Sequence, residues 1–111
     1  MERKWSKEYP SNLSSTELDQ VEYSSIIDLL ESVANKYGDK TAYYSLNSTL
    51  SFKMTSLISK RLAAYLQYLG VTKNTKIAVM LPNLLTYPVA LFGAFYCGAT
   101  VINVNPLYKT R

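Results

Sequence analysis

The chain has 111 residues, 48% of them hydrophobic and 18% charged, which is the length and apolar content of one ordinary folded domain and not of a disordered segment. Twelve Lys and Arg against eight Asp and Glu give a net charge of +4, but the cations are scattered with no basic stripe interleaved with aromatics, so nucleic-acid binding is not expected. A single Cys97 excludes an internal disulfide framework and fits a reducing compartment, and the lack of His excludes Ser-His-Asp, Cys-His and the usual zinc arrangements within these residues.

Residues 1–23 carry many Ser, Asn and Glu without sustained periodicity and read as an extended arm over the surface. The opening MERKWSKEYPSN is charged and has no apolar h-region, so no secretory leader is expected and the sequons at Asn12 and Asn47 carry no meaning. Ser25 and Asp28 form a short-acid version of the capping box. Ile26, Leu29, Leu30, Val33, Ala34 and Tyr37 then recur at helical spacing, predicting an amphipathic helix over 25–37 with Gly38 as terminator. TAYYSL and LSFK, separated by Asn47-Ser48-Thr49, predict two short strands in a hairpin. A second amphipathic helix is predicted from Thr55 to Leu69, ended by Gly70, with Lys60 and Arg61 on its solvated face.

Beyond the polar turn TKNTK, the runs IAVML (77–81) and TVINV (100–104) have the length and composition of strands buried on both faces. Between them a helix is predicted from Tyr87 to Cys97, capped by Thr86, with Pro88 in its first turn where a missing N–H costs nothing. Strand, helix, strand is a βαβ unit, for which a right-handed crossover is expected. The same region contains a 19-residue uncharged window, Leu84 to Ile102, close to the ~20 residues that cross a bilayer. Pro88, Gly93, Gly98 and the β-branched tail favour strand and helix grammar over one continuous span.

Chemistry-bearing constellations are sparse. Asp28 and Glu31 stand at i, i+3 and Asp39 at the helix exit, and solvation or the helix terminus explains each without acid–base work. The turn after the first apolar strand is Pro82-Asn83, without Gly, so neither a dinucleotide fingerprint nor a phosphate loop is available. No catalytic, cofactor-binding or metal-ligating residue is assigned. Pro106 biases Asn105 toward extended backbone, and Asn103 and Asn105 are expected to tie down backbone groups in the closing turn.

The stretch KIAVMLPNLLTYPVALFGAFYCGATVINVNPLYKTR closely resembles the N-terminal region of bacterial long-chain fatty-acyl-CoA synthetases, which are adenylate-forming ligases. The likeness lies in Pro82-Asn83-Leu84-Leu85, in Tyr87-Pro88-Val89-Ala90-Leu91-Phe92-Gly93, in Gly98 and in Asn103-Val104-Asn105-Pro106-Leu107-Tyr108. Upstream, Trp5, Tyr9-Pro10 and the segments SIIDLLESVANKYGDKTAYYS and LSFKMTSLISKRLAAYLQYLG follow the family's order, so the resemblance covers nearly the whole chain.

It implies an α/β fold in which residues 24–111 are the incomplete N-terminal portion of a large adenylation domain. It further implies an enzyme that joins a fatty acid to ATP as an acyl-adenylate and then transfers the acyl group to coenzyme A, with ATP, Mg and coenzyme A as cofactors. In that family the phosphate loop, the nucleotide contacts, the acyl tunnel and the catalytic lysine follow later in the chain, so none is carried onto a position here, and residues 1–111 alone are expected to be inactive. A cytoplasmic enzyme is implied, with room for peripheral contact at the inner membrane and for a homodimer. The alternative is a free-standing small protein that associates with a membrane or a partner through the apolar segment 84–102. The two are separated by whether the reading frame continues past Arg111 into a Thr/Ser/Gly-rich loop.

Overall fold

The computed structural model describes Pro10 and residues 22–107; all of the expected arm except Pro10, Glu22 and Tyr23 lies outside the described residues. The elements are α1 (Ile26–Tyr37), β1 (Thr41–Ser45), β2 (Ser48–Ser51), α2 (Phe52–Tyr68), β3 (Lys76–Val79), α3 (Thr86–Tyr96) and β4 (Thr100–Asn103).

At the start of α1 the Ser25 hydroxyl accepts the Asp28 N–H at 3.0 Å. The Asp28 carboxylate reaches back to Ser24, accepting its N–H at 3.0 Å and its hydroxyl at 3.1 Å, so the box closes one residue upstream of the usual position. Gly38 ends the helix in the right-handed region, at φ −47°. Its glycine is needed for space: an added Cβ would stand 2.6 Å from the Ala34 carbonyl oxygen.

β1 and β2 pair antiparallel, as expected, but the turn sits earlier than Asn47-Ser48-Thr49. Leu46 and Asn47 are its two central residues, at φ 47° and 61°, the signature of a type I′ turn. The second strand also stops sooner, because Ser51 caps α2 by accepting the Met54 N–H at 3.2 Å. Phe52 and Lys53 donate their N–H groups to the carbonyls of Lys40 and Gly38 and join the helix, which therefore begins three residues before Thr55. Gly70, at φ 90°, closes α2 in a Schellman motif, with Val71 N–H on Leu66 O and Gly70 N–H on Gln67 O. Gly98, at φ 70°, does the same for α3, with Ala99 N–H on Ala94 O and Gly98 N–H on Phe95 O.

α3 starts at Thr86, which is helical and not a cap; Leu85 holds the cap position with no side-chain bond. Pro88 is the third helical residue, among the four whose N–H groups have no partner within the helix. β3 and β4 pair in parallel with Ile77 opposite Val101 and Val79 opposite Asn103, completing the βαβ unit. Both strands are shorter than 77–81 and 100–104, although Val104 N–H still bonds Val79 O at 3.0 Å.

Within the described residues the two apolar strands are covered on one face. Ile77 and Val101 pack on the helical core and Val79 is buried, whereas Met80 and Ile102 are 60% and 45% exposed. With side chains alternating along a strand, α3 covers one face, with α2 packed behind it, and the described residues leave the other open. The core is made of small residues, Ala63, Ala94, Cys97 and Ala99, which let α2 and α3 approach closely. At Gly93 the approach is tight: an added Cβ would lie 2.8 Å from Leu62 Cδ2.

The uncharged window Leu84–Ile102 thus divides into a turn, an eleven-residue helix, a loop and most of a strand. Among the described residues no helix is long and apolar enough to cross a membrane.

Candidate functional site

In open α/β sheets ligands enter at the carboxyl ends of the parallel strands, and here those ends frame a cleft of about 580 Å³. Pro82 and Asn83 from the β3–α3 turn, Tyr87 from the first turn of α3, and Asn103, Asn105 and Pro106 from the end of β4 line it. The Tyr87 hydroxyl donates to Asn103 Oδ1 at 2.9 Å, tying the start of α3 to the end of β4. Asn105 Oδ1 accepts the Leu107 N–H at 2.9 Å, an Asx turn across Pro106. Asn105 therefore holds backbone as expected, while Asn103 takes a side-chain hydroxyl instead.

The lining of this cleft is uncharged. It offers amide and phenol groups that orient a neighbouring chain or ligand, but no cation for a triphosphate. Among the described residues no cluster of three His, Cys, Asp or Glu could hold a metal ion. The lining of this cleft accordingly does not by itself fit an ATP–Mg site.

A second polar constellation ties the helices together. Lys60 Nζ meets Glu31 Oε1 at 2.9 Å and stands 5.5 Å from the centroid of the Tyr96 ring, whose hydroxyl shares a 3.1 Å hydrogen bond with Ser56. The bonded lysine holds the Glu31 carboxyl below its ordinary value, and Glu31 in turn raises Lys60. Burial pushes the Tyr96 phenol up. Asp28 thus serves the helix start at Ser24, whereas Glu31 serves Lys60. Neither the Tyr87–Asn103 nor the Glu31–Lys60–Tyr96 link was legible in the sequence, since the partners lie far apart along the chain.

Cys97 is buried, its thiol 3.4 Å from the Ala63 carbonyl oxygen, and desolvation pushes its pKa upward.

Residues 30–111 match the family model of the AMP-binding enzymes, and the chain belongs to that family. It is 43% identical to the long-chain-fatty-acid–CoA ligase of Yersinia pestis over 112 aligned positions, covering 100% of this chain and 20% of that protein. The enzymes of the same name from Escherichia coli O157:H7 and Haemophilus influenzae are 40% and 38% identical, again with all of this chain and 20% of theirs. The chain thus spans about a fifth of the length of these curated relatives.

Among solved structures, VinN superposes with a TM-score of 0.75 at 24% identity, over 81% of this chain and 24% of that one. The anthranilate CoA ligase AuaEII, in complex with anthranoyl-AMP, superposes with a TM-score of 0.74 at 23% identity, over 83% and 18%. These two likenesses show that the matched part of the chain shares their fold.

Proposed function

We propose that residues 24–111 are the N-terminal part of the adenylation domain of an ATP-dependent long-chain fatty acid–CoA ligase, which makes an acyl-adenylate and then an acyl-CoA. The observation that carries this reading is the 43% identity to a ligase of that name across the whole chain. In it, the β3–β4 pair and α3 serve as framework, and Tyr87, Asn103 and Asn105 shape one wall of the cleft at the strand ends. The residues that contact ATP, Mg and coenzyme A belong to parts of the polypeptide outside residues 24–111. A cytoplasmic enzyme that touches the inner membrane peripherally and forms a homodimer goes with the same reading, and fractionation and sedimentation test those two features.

The test of activity is fatty-acid-dependent exchange of labelled pyrophosphate into ATP by the polypeptide expressed from the whole reading frame. Exchange is expected with long-chain fatty acids and is expected to stop when magnesium is chelated. Exchange driven only by an aromatic acid, or by no acid at all, would overturn the proposal. Residues 1–111 alone are expected to give no exchange above a heat-killed control, because stabilising a transferring phosphoryl group needs charged groups placed in advance.

A further inference from the structure

A concavity of about 670 Å³ lies away from the strand ends, between the last turn of α1 and the first half of α2. Four lysines line it, Lys36, Lys40, Lys53 and Lys60, against one carboxylate, Asp39. Lys60 is committed to Glu31, and that is the only ion pair among the described residues. Lys36 and Lys40 both stand against the Tyr37 ring, at 5.3 and 4.9 Å from its centroid, so one aromatic side chain gathers two like charges. The stem of Lys53 packs over Gly38, whose missing side chain gives it room.

Helix ends do not account for this grouping. The negative end of α1 favours a cation at Lys36, in its last turn. Lys53 is the second residue of α2 and faces the positive end of that helix, whose first turn contains no acid. Among the described residues, three ammonium groups without an ion pair are therefore gathered around one cavity that holds a single carboxylate, Asp39. Such an arrangement violates local electrostatic preference, as ligand sites do.

We infer that this cavity binds a phosphate-bearing anion, held by Lys36, Lys40 and Lys53. A phosphate carrying up to two negative charges matches several flexible point charges, whereas a single carboxylate would leave most of the positive charge uncompensated. Both a soluble phosphate and a lipid headgroup present this chemistry. The inference does not depend on the ligase reading, since its test involves no turnover.

Limited acetylation of the full-length polypeptide, read lysine by lysine by mass spectrometry, decides it. Inorganic phosphate is compared with chloride at equal ionic strength, and phosphatidylcholine vesicles with vesicles that also contain phosphatidylglycerol. With a probe at about twice its Kd, mass action leaves a third of the sites free, so acetylation of Lys36, Lys40 and Lys53 should slow about threefold, with Lys73 and Lys76 unchanged. Slowing by phosphate assigns a soluble anion, and slowing only by anionic vesicles assigns a lipid headgroup. The Lys40→Gln/Lys53→Gln double variant should lose the protection at Lys36 while keeping its circular dichroism. Equal slowing at all five lysines, slowing at none, or protection of Lys36 that persists in the double variant would overturn the inference.

Discussion

Single residues fall into distinct energetic classes here, and Gly70 at the end of α2 and Gly93 within α3 show the contrast. Gly70 has φ 90° and open space around it, so Gly70→Ala should cost about 1–2 kcal/mol through the left-handed backbone alone. Gly93 lies in helical backbone with Leu62 Cδ2, Cγ and Cβ at 2.8, 3.0 and 3.2 Å from an added Cβ, so the neighbour cannot yield by turning a terminal methyl. Gly93→Ala should cost about 1–3 kcal/mol by overpacking, and the further variant Gly93→Ala/Leu62→Ala should recover part of it. Melting temperatures of the variants in the whole polypeptide check both, and a neutral Gly93→Ala would show that α2 and α3 separate readily. Cys97 is expected to resist alkylation at pH 8 until the protein is denatured, because the thiol is buried and its pKa is raised.

Between elements, the pair Glu31–Lys60 joins α1 to α2, and the sign of its pH dependence follows from the two shifts. The Glu31 carboxyl is depressed below 4.5 in the folded state, so its contribution is present above the unfolded value and is lost as pH falls through the lower folded one. Lys60 is raised above 10.5, so its contribution is complete below that value and is lost as pH rises through the higher folded one. Both side chains are substantially exposed, at 42% and 50%, and solvent screening should hold the pair to about 0.2–1 kcal/mol. Glu31→Gln is therefore expected to flatten the acid limb of the stability profile slightly, and 1 M salt to remove the difference from wild type. At the strand ends, Asn105→Ala should lower the melting temperature more than it lowers turnover per folded molecule. Loss of activity at an unchanged melting temperature would instead place Asn105 against substrate.

At the scale of the molecule, the open face of β3–β4 is the dominant feature. Met80 and Ile102 are exposed on it, and an apolar groove of about 410 Å³ opens among Leu50, Ile58, Leu62, Leu85 and Val89. If ~400 Å² of apolar surface covered in the full-length protein stands in water, about 25 cal/mol per Å² puts the loss near 10 kcal/mol, comparable to the stability of a whole domain. Residues 1–111 in isolation should therefore be partly folded, bind a hydrophobic dye and self-associate through the strand edges, whereas the full-length protein should do neither. A monomeric, dye-silent peptide with one sharp melt would mean that α2 and α3 alone supply a sufficient core.

What the sequence determined by itself was local and periodic. Ser25 and Gly38 bound α1, Gly70 and Gly98 supply the positive φ that ends α2 and α3, and two apolar runs flanking an apolar helix specify the βαβ order. The family was legible too, in the PNLLTYPVALFG and NVNPLY segments. Tertiary structure decided the rest. The hairpin turn moved to Leu46-Asn47, and Phe52 and Lys53 passed from strand to helix, because Lys40 and Gly38 offered carbonyls that no local pattern announces. The strands kept one face open because burial depends on how many layers a chain supplies, and periodicity records only which residues share a face. The Tyr87–Asn103 tie and the lysine-lined cavity exist only because the fold brings distant residues together, and charge that looks scattered along the chain is concentrated in space.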